Sequence, residues 1–226
     1  MKTISNPARV TTILHNSHFL DLFSFDIQPY IRVVEYEKNE YVIRSSGKLT
    51  RLCYLVEGTA KLYGVHKNGK QTLINFFWPP CILGDTELVF EDKVPFPLVA
   101  RTRCVFIELD TQHCRQMLLS DAKFLRSVYG MALKRNVAQN RKYTNLAAYP
   151  SLNNLAACLL LLQNEGLFTE KYTEIADYLS ISYRHLMHLV SELCKAKIVE
   201  RVPEGLRIVD WEQLRALSSD IIDEDD

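Results

Sequence analysis

The chain has no surplus of charge of either sign: 27 Lys and Arg balance 27 Asp and Glu in 226 residues. Bulk charge therefore gives no attraction to nucleic acid, and any such attraction has to come from a local patch. Long apolar runs are missing as well. Leu155 to Leu162 is the longest, far short of the roughly 18 residues that a membrane span needs. Lys2 and Arg9 are followed by no apolar segment of the signal-peptide kind, so a cytoplasmic protein without membrane contact is expected. The cysteines, at 53, 81, 104, 114, 158 and 194, show neither C-x-x-C nor finger spacing. In a reducing compartment they are expected to be small buried apolar residues. A redox-sensing pair among Cys53, Cys81, Cys104 and Cys114 stays open as an alternative. His15, His18, His66 and His113 lack paired metal spacing, and no metal or cofactor is expected.

What is present is a patterned stretch from Thr173 to Val190. It predicts a helix capped by Thr173, with Ile175, Ala176 and Leu179 as its apolar stripe. A tight turn follows. Ser182 then caps a second helix whose inward stripe is Leu186, Leu189, Val190 and Leu193, which leaves Tyr183, Arg184, His185 and His188 on or near the opposite face. A helix-turn-helix needs this division, because one face packs while the other enters the DNA major groove.

The remaining chain surrounds that stretch with recognisable units. Residues 1 to about 27 predict a helical lead-in, with Phe19, Leu22 and Phe23 at helical spacing. Strands are predicted at 31–36, 41–44, 51–56, 59–65, 71–78, 98–103 and 104–109, with turns at Lys38-Asn39, Glu57-Gly58 and Asn68-Gly69. Many short strands with regular turns predict a β-barrel or jelly roll. Enzymes of that architecture, such as cupins, carry a histidine and carboxylate cluster inside the barrel. None is visible here, so no catalytic residues are expected.

From Thr111 the pattern is helical. A short helix is predicted to Leu119, then a long one, capped by Ser120 or Asp121 and running to about Ala148. Its apolar positions include Phe124, Leu125, Val128, Ala132, Leu133 and Val137, the mixed three-and-four spacing of a helix–helix seam. Packing on its own domain and a dimer seam both fit. Beyond Pro150, Ser151 is expected to cap a helix from Leu152 to Asn164 that Gly166 ends. After the helix-turn-helix, Ile198 to Val209 predicts a hairpin, the position of a wing. The tail from Ser218 to Asp226 is acidic and expected to be disordered. The resulting division is 1–110, a β-roll effector domain; 111–149, connecting helices; 150–217, a winged helix-turn-helix; and 218–226, the tail. The fold class is α+β.

This order of units resembles the Crp/Fnr family of bacterial transcription regulators. The resemblance is carried by Tyr41 to Gly47, Leu52 to Gly58, Lys67 to Gln71, Gly84-Asp85-Thr86-Glu87-Leu88 and the helix-turn-helix, and it covers nearly the whole chain. It implies an N-terminal roll like a cyclic-nucleotide-binding domain and a long dimerisation helix with Phe124, Leu125, Val128, Ala132 and Leu133 in its seam. It also implies a homodimer reading a palindromic operator in double-stranded DNA, with RNA polymerase as a further partner and a small molecule as effector. The branch resembled is an atypical one. The N-terminal segment, where oxygen sensors of the family concentrate their cysteines, has none.

Family base readers fall at the positions of Tyr183, Arg184 and His188. Arg184 can fork onto guanine O6 and N7, His188 can donate to a base edge or phosphate, and Ser182 can bind phosphate. His185 and Thr173 join the candidate contacts, and Lys195, Lys197, Arg201 and Arg207 are candidates for phosphate. Many members place Arg–Glu at the first positions and a second Arg where His188 stands, so their operator sequence does not transfer.

The sensor departs from the family too. Cyclic-nucleotide members follow the Gly-Asp/Glu element with an arginine and a small hydroxyl residue that grip the phosphate. Here Val94-Pro95-Phe96-Pro97 stands in that place, and Glu87, Glu91 and Asp92 leave Lys93 as the one nearby cation. Cyclic-nucleotide binding is therefore not expected. Asp85 or Glu87 can accept from another ligand, or form a salt bridge or a solvated turn. Phe76, Trp78, Phe90 and Phe96 are expected to make an apolar pocket wall beside Gly84, suited to an uncharged effector or to none.

Overall fold

The computed structural model describes residues 1–222. The chain divides into two compact units, Met1–Asn136 and Val137 onward.

The first unit opens with β1 (Lys2–Thr3) and α1 (Pro7–Asn16), which starts at Pro7 with the Asn6 side chain accepting from the Arg9 N–H. A short 3₁₀ turn at Phe19–Leu22 follows. The lead-in is thus helical in part only, since Lys2 and Thr3 pair with Glu35 and Val34. Next come β2 (Ile31–Tyr36), β3 (Tyr41–Ile43), β4 (Arg51–Glu57), β5 (Ala60–Val65), β6 (Gln71–Phe77) and β7 (Cys81–Leu83). Then α2 (Asp85–Val89), β8 (Leu98–Ala100), β9 (Cys104–Asp110), α3 (Thr111–Ser120) and α4 (Ala122–Ala148) complete this part of the chain. Asp110 caps α3 by accepting from Gln112, and Asp121 accepts from Lys123 at the start of α4.

The strands form two antiparallel sheets, ordered β1-β2-β9-β4-β7 and β3-β8-β5-β6. One core lies between them, where Val34, Tyr36, Leu55 and Phe106 meet Ala60, Leu98 and Ala100. A second core covers the other face of the five-stranded sheet, where Leu52, Tyr54, Val105 and Ile107 meet Ile13, Phe19, Phe23, Leu118 and Phe124. This explains why Cys104 to Leu109 is buried without alternation: a strand covered on both faces has no reason to alternate. Tyr36 and Glu108 lie within the roll. Glu108 is 1% exposed, and its carboxylate accepts from the Tyr36 hydroxyl at 2.5 Å and the Arg32 Nε at 2.8 Å, with Arg51 Nε 3.3 Å away. A buried carboxylate needs such partners.

The second unit begins inside α4 and contains α5 (Ser151–Leu162), β10 (Leu167–Phe168), α6 (Tyr172–Tyr178), α7 (Tyr183–Lys195), β11 (Val199–Val202), β12 (Gly205–Ile208) and α8 (Trp211–Ser218). Two expected boundaries move. Ser151 is the first helical residue, not the cap, because Pro150 takes the extended cap position. The helix stops at Leu162, since Asn164 exchanges two backbone hydrogen bonds with Leu167 in the turn that follows. The wing is a three-stranded sheet ordered β10-β12-β11. At its turn Gly205 has φ +154°, and a Cβ there would stand 2.0 Å from the Phe168 carbonyl oxygen, so only glycine lets β10 approach. Asp210 caps α8, which packs against α5 with Leu214 buried. Of the expected acidic tail, residues 223–226 lie outside the described residues, and Ser218 ends α8.

Candidate nucleic-acid interface

The α6–turn–α7 segment is built from its own short-range hydrogen bonds. Lys171, not Thr173, is the N-cap of α6. Its carbonyl accepts from Ile175, and no side-chain cap is made. Thr173 is instead an exposed residue of the first turn. The turn places Ser180 in the left-handed region at φ 56° and lets Ile181 donate to the Ala176 carbonyl. Ser182 is extended, and its hydroxyl accepts from the His185 N–H at 3.1 Å, which makes it the cap of α7 as expected.

From that start α7 separates its faces. Leu186, Leu189, Val190 and Leu193 are buried, whereas Ser182, Tyr183, Arg184, His185 and His188 are exposed. Ile175, Ala176 and Leu179 supply the buried side of the first helix. The open face is not uniformly basic. His188 Nε2 lies 3.6 Å from Glu192, and Arg207 Nε lies 3.8 Å from Glu200, its partner across the wing. Lys195, Lys197 and Arg201 are exposed beyond them. Lys171, which the spacing does not mark, stands 3.9 Å from Glu174 at the edge of this face. Tyr172, beside Arg201 and Tyr183, has its phenol raised by burial. A cavity of about 100 Å³ lies behind the turn, lined by Leu146, Ser151, Asn154, Leu179, Ser180 and Ile181.

Along α4, the expected seam residues divide. Phe124 is fully buried in its own unit, stacked on Phe23 with ring centroids 5.1 Å apart. Val128 packs against the same core. Leu125, Tyr129, Leu133 and Val137 recur every fourth residue and are exposed, with Ala132 half-buried beside them. Phe124 therefore belongs to the core and not to the open stripe.

The segment expected to sense a ligand is tied down. Gly84 has φ +90°, and a Cβ there would meet the Arg51 carbonyl oxygen at 2.8 Å. Asp85 pairs with Arg135 of α4, which also donates to the Ile82 carbonyl. Of the alternatives open to Asp85, the salt bridge is formed. Glu87 has its carboxyl raised, first by burial. Phe76 is buried and forms an aromatic pair with Trp78, centroids 6.1 Å apart. Phe90 and Phe96 are 59% and 53% exposed, so they are surface residues and not a pocket wall. The two buried prolines beside Phe96, Pro95 and Pro97, hold the segment in while turning its apolar side chains out.

Five cysteines are buried and Cys194 is half-buried. Burial pushes the Cys53 thiol up to about 12 and the Cys81 and Cys114 thiols up to about 11. Thiols held protonated in this way are poor nucleophiles. Among the described residues, no group of three or more His, Cys, Asp or Glu is placed to hold a metal ion, and no helix is long and apolar enough to cross a membrane.

Comparison with known proteins agrees with this architecture. Residues 33–121 match the family model described as a cyclic nucleotide-binding domain. The chain is 32% identical over 205 residues to the regulatory protein YeiL of Escherichia coli O157:H7, covering 91% of this chain and 94% of that one. Its fold is similar to that of TTHA1359, a CRP/FNR-family transcriptional regulator from Thermus thermophilus, with a TM-score of 0.70, 17% identity and coverage of 84% and 100% of the two chains. It is also similar to the c-di-GMP-responsive global regulator CLP of Xanthomonas campestris, with a TM-score of 0.67, 14% identity and coverage of 86% and 98%.

Proposed function

The chain belongs to the Crp/Fnr family of transcription regulators, and from that footing we propose that it is a homodimer that reads a palindromic DNA site with the first turns of α7. The observation that carries this reading is the division of α7 into a buried stripe and an open face of Ser182, Tyr183, Arg184, His185 and His188. A helix so divided can lie in the major groove while the rest of its unit holds it rigid. Arg184 then forks onto a guanine, worth about 1–3 kcal/mol of discrimination against other bases. His188 takes a base edge or a phosphate in exchange for Glu192. Ser182, Thr173, Lys195 and Arg207 fix the register on the backbone without reading sequence.

The dimer is held by the open stripe of α4, centred on Leu125, Tyr129 and Leu133, with Ala132 and Val128 flanking it. The helices 111–149 join a sensor, 1–110, to a DNA-binding domain, 150–217. The effector is not a cyclic nucleotide: Asp85 is committed to Arg135, and the segment from Val94 to Pro97 offers no arginine to a phosphate. RNA polymerase is the further partner, the location is cytoplasmic, and no catalytic step is assigned. Glu192, Glu200 and Glu204 among the exposed cations keep non-specific affinity moderate and the salt dependence modest.

A gel shift with the DNA upstream of the protein's own gene tests the reading. A retarded band that survives non-specific competitor and weakens in Arg184→Ala supports it. No band at low salt overturns it.

A further inference from the structure

The five-residue helix α2 cannot hold its own shape, because a single turn fixes more torsions than its hydrogen bonds repay. It is held at both ends by arginines from other helices. At its C-terminal end, Arg115 of α3 donates from Nε and Nη2 to the Leu88 carbonyl at 2.9 and 2.7 Å and pairs with Glu91. At its start, Arg135 of α4 donates to the Asp85 carboxylate and to the carbonyl of Ile82 just before the helix. The Arg135 and Asp85 side chains are 25% and 15% exposed, so this pair is shielded from water more than an ordinary surface ion pair.

The two clamps differ in where they lead. Arg115 anchors α2 within the first unit. Arg135 stands two positions before Val137, where the second unit begins, and α4 is one uninterrupted helix from Ala122 to Ala148. In such a helix the carbonyls of the Arg135 turn accept from amides of the next turn, so a change in its position is passed along the backbone ladder.

We infer that the Asp85–Arg135 pair is a conformational latch through which the sensor segment biases DNA binding. Arg135 also meets the Cys81 thiol, and the two oxygen groups it engages, the Asp85 carboxylate and the Ile82 carbonyl, are acceptors. A ligand presenting hydrogen-bond donors to them competes with Arg135, frees its turn of α4 and shifts the equilibrium of the stretch from Val137 onward. The DNA outcome rests on the DNA-binding reading above, whereas the change in α4 does not.

The test uses the full-length protein in three forms, Asp85→Asn, Arg135→Gln and the double variant. Two readouts are compared at equal folded fraction: affinity for operator DNA, and amide hydrogen exchange over Val137–Ala148. The latch predicts that each single variant moves both readouts in the same direction, by about fivefold or more, and that the double variant is no further displaced than either single one. Asp85→Asn, close to isosteric, keeps the test open if Arg135→Gln does not fold. Wild-type values for both readouts in the single variants overturn the inference, as does an additive double variant. If wild-type protein binds no operator, the DNA-binding reading fails by itself, and the exchange over Val137–Ala148 decides the latch.

Discussion

The hydroxyl of Tyr36 donates a 2.5 Å hydrogen bond to the carboxylate of Glu108, which is 1% exposed inside the roll. Arg32 and Arg51 reach the same carboxylate from the neighbouring strands, because β2 and β4 both pair with β9 at this level. Burial and the Glu108 charge both push the Tyr36 phenol well above its ordinary range, so it remains a donor throughout the working pH range. Tyr36→Phe keeps the ring and removes that donor from a buried acceptor. A loss of about 1–3 kcal/mol is expected, read from the midpoint of urea unfolding. Glu108→Gln costs more, because it leaves two guanidinium groups without their anion. An unchanged midpoint in both variants would contradict the assigned role.

Lys142 gives a pH signature to the second unit. Its ammonium lies 3.6 Å from the Tyr178 ring centroid, and burial lowers its pKa from 10.5 to about 8. Between those two values the unfolded chain holds a proton that the folded chain has released. Stability attributable to this residue therefore rises with pH from about 8 to about 10.5, and the burial penalty is fully present below that window. Against Lys142→Met, the wild type should gain stability steadily across that range. Denaturation curves at pH 7.5 and pH 10 check it, and a constant difference refutes it.

The stripe of Leu125, Tyr129 and Leu133 predicts a specific failure of assembly. These side chains are 37%, 65% and 46% exposed, so Leu133→Glu disturbs little within one chain but places a carboxylate in a desolvated seam. Sedimentation velocity should show a dimer for the wild type and a monomer for Leu133→Glu, with the thermal midpoint of the first unit little changed. A variant that remains dimeric moves the seam elsewhere.

Cyclic nucleotides should leave the protein unaffected. Isothermal calorimetry with cyclic AMP and cyclic GMP is expected to show no binding heat and no change in melting temperature. A micromolar dissociation constant would mean that some cation other than the missing arginine neutralises the phosphate.

Much of this is legible in the sequence because it depends on local spacing. The stripe of Leu186, Leu189, Val190 and Leu193 and the cap at Ser182 are short-range patterns, and they appear where periodicity and capping chemistry place them. Asn68-Gly69 marks the β5–β6 hairpin for the same reason: Gly69 has φ +80° and closes the turn. The misses are long-range or edge effects. β1 and β10 have two residues each and exist through their partners, β2 and β12. Phe124 has seam spacing, but the Phe23 ring claims it. Phe90 and Phe96 are aromatic yet exposed, and beside Phe96 it is Pro95 and Pro97 that take the buried positions. Helix α8 is not among the expected elements, although Asp210 and Gln213 carry an ordinary capping pattern. No spacing rule brings Arg135 to Asp85 across fifty positions of sequence.

Selection of binding sites from a random duplex library, run in parallel on the wild type and Arg184→Ala, tests whether α7 reads DNA sequence. A dimer with one α7 per half-site selects inverted half-sites with centres about one helical turn, roughly 34 Å, apart. Arg184→Ala is expected to lose discrimination at one symmetric base of each half-site. Enrichment of no sequence, or an identical palindrome for the two proteins, would contradict it.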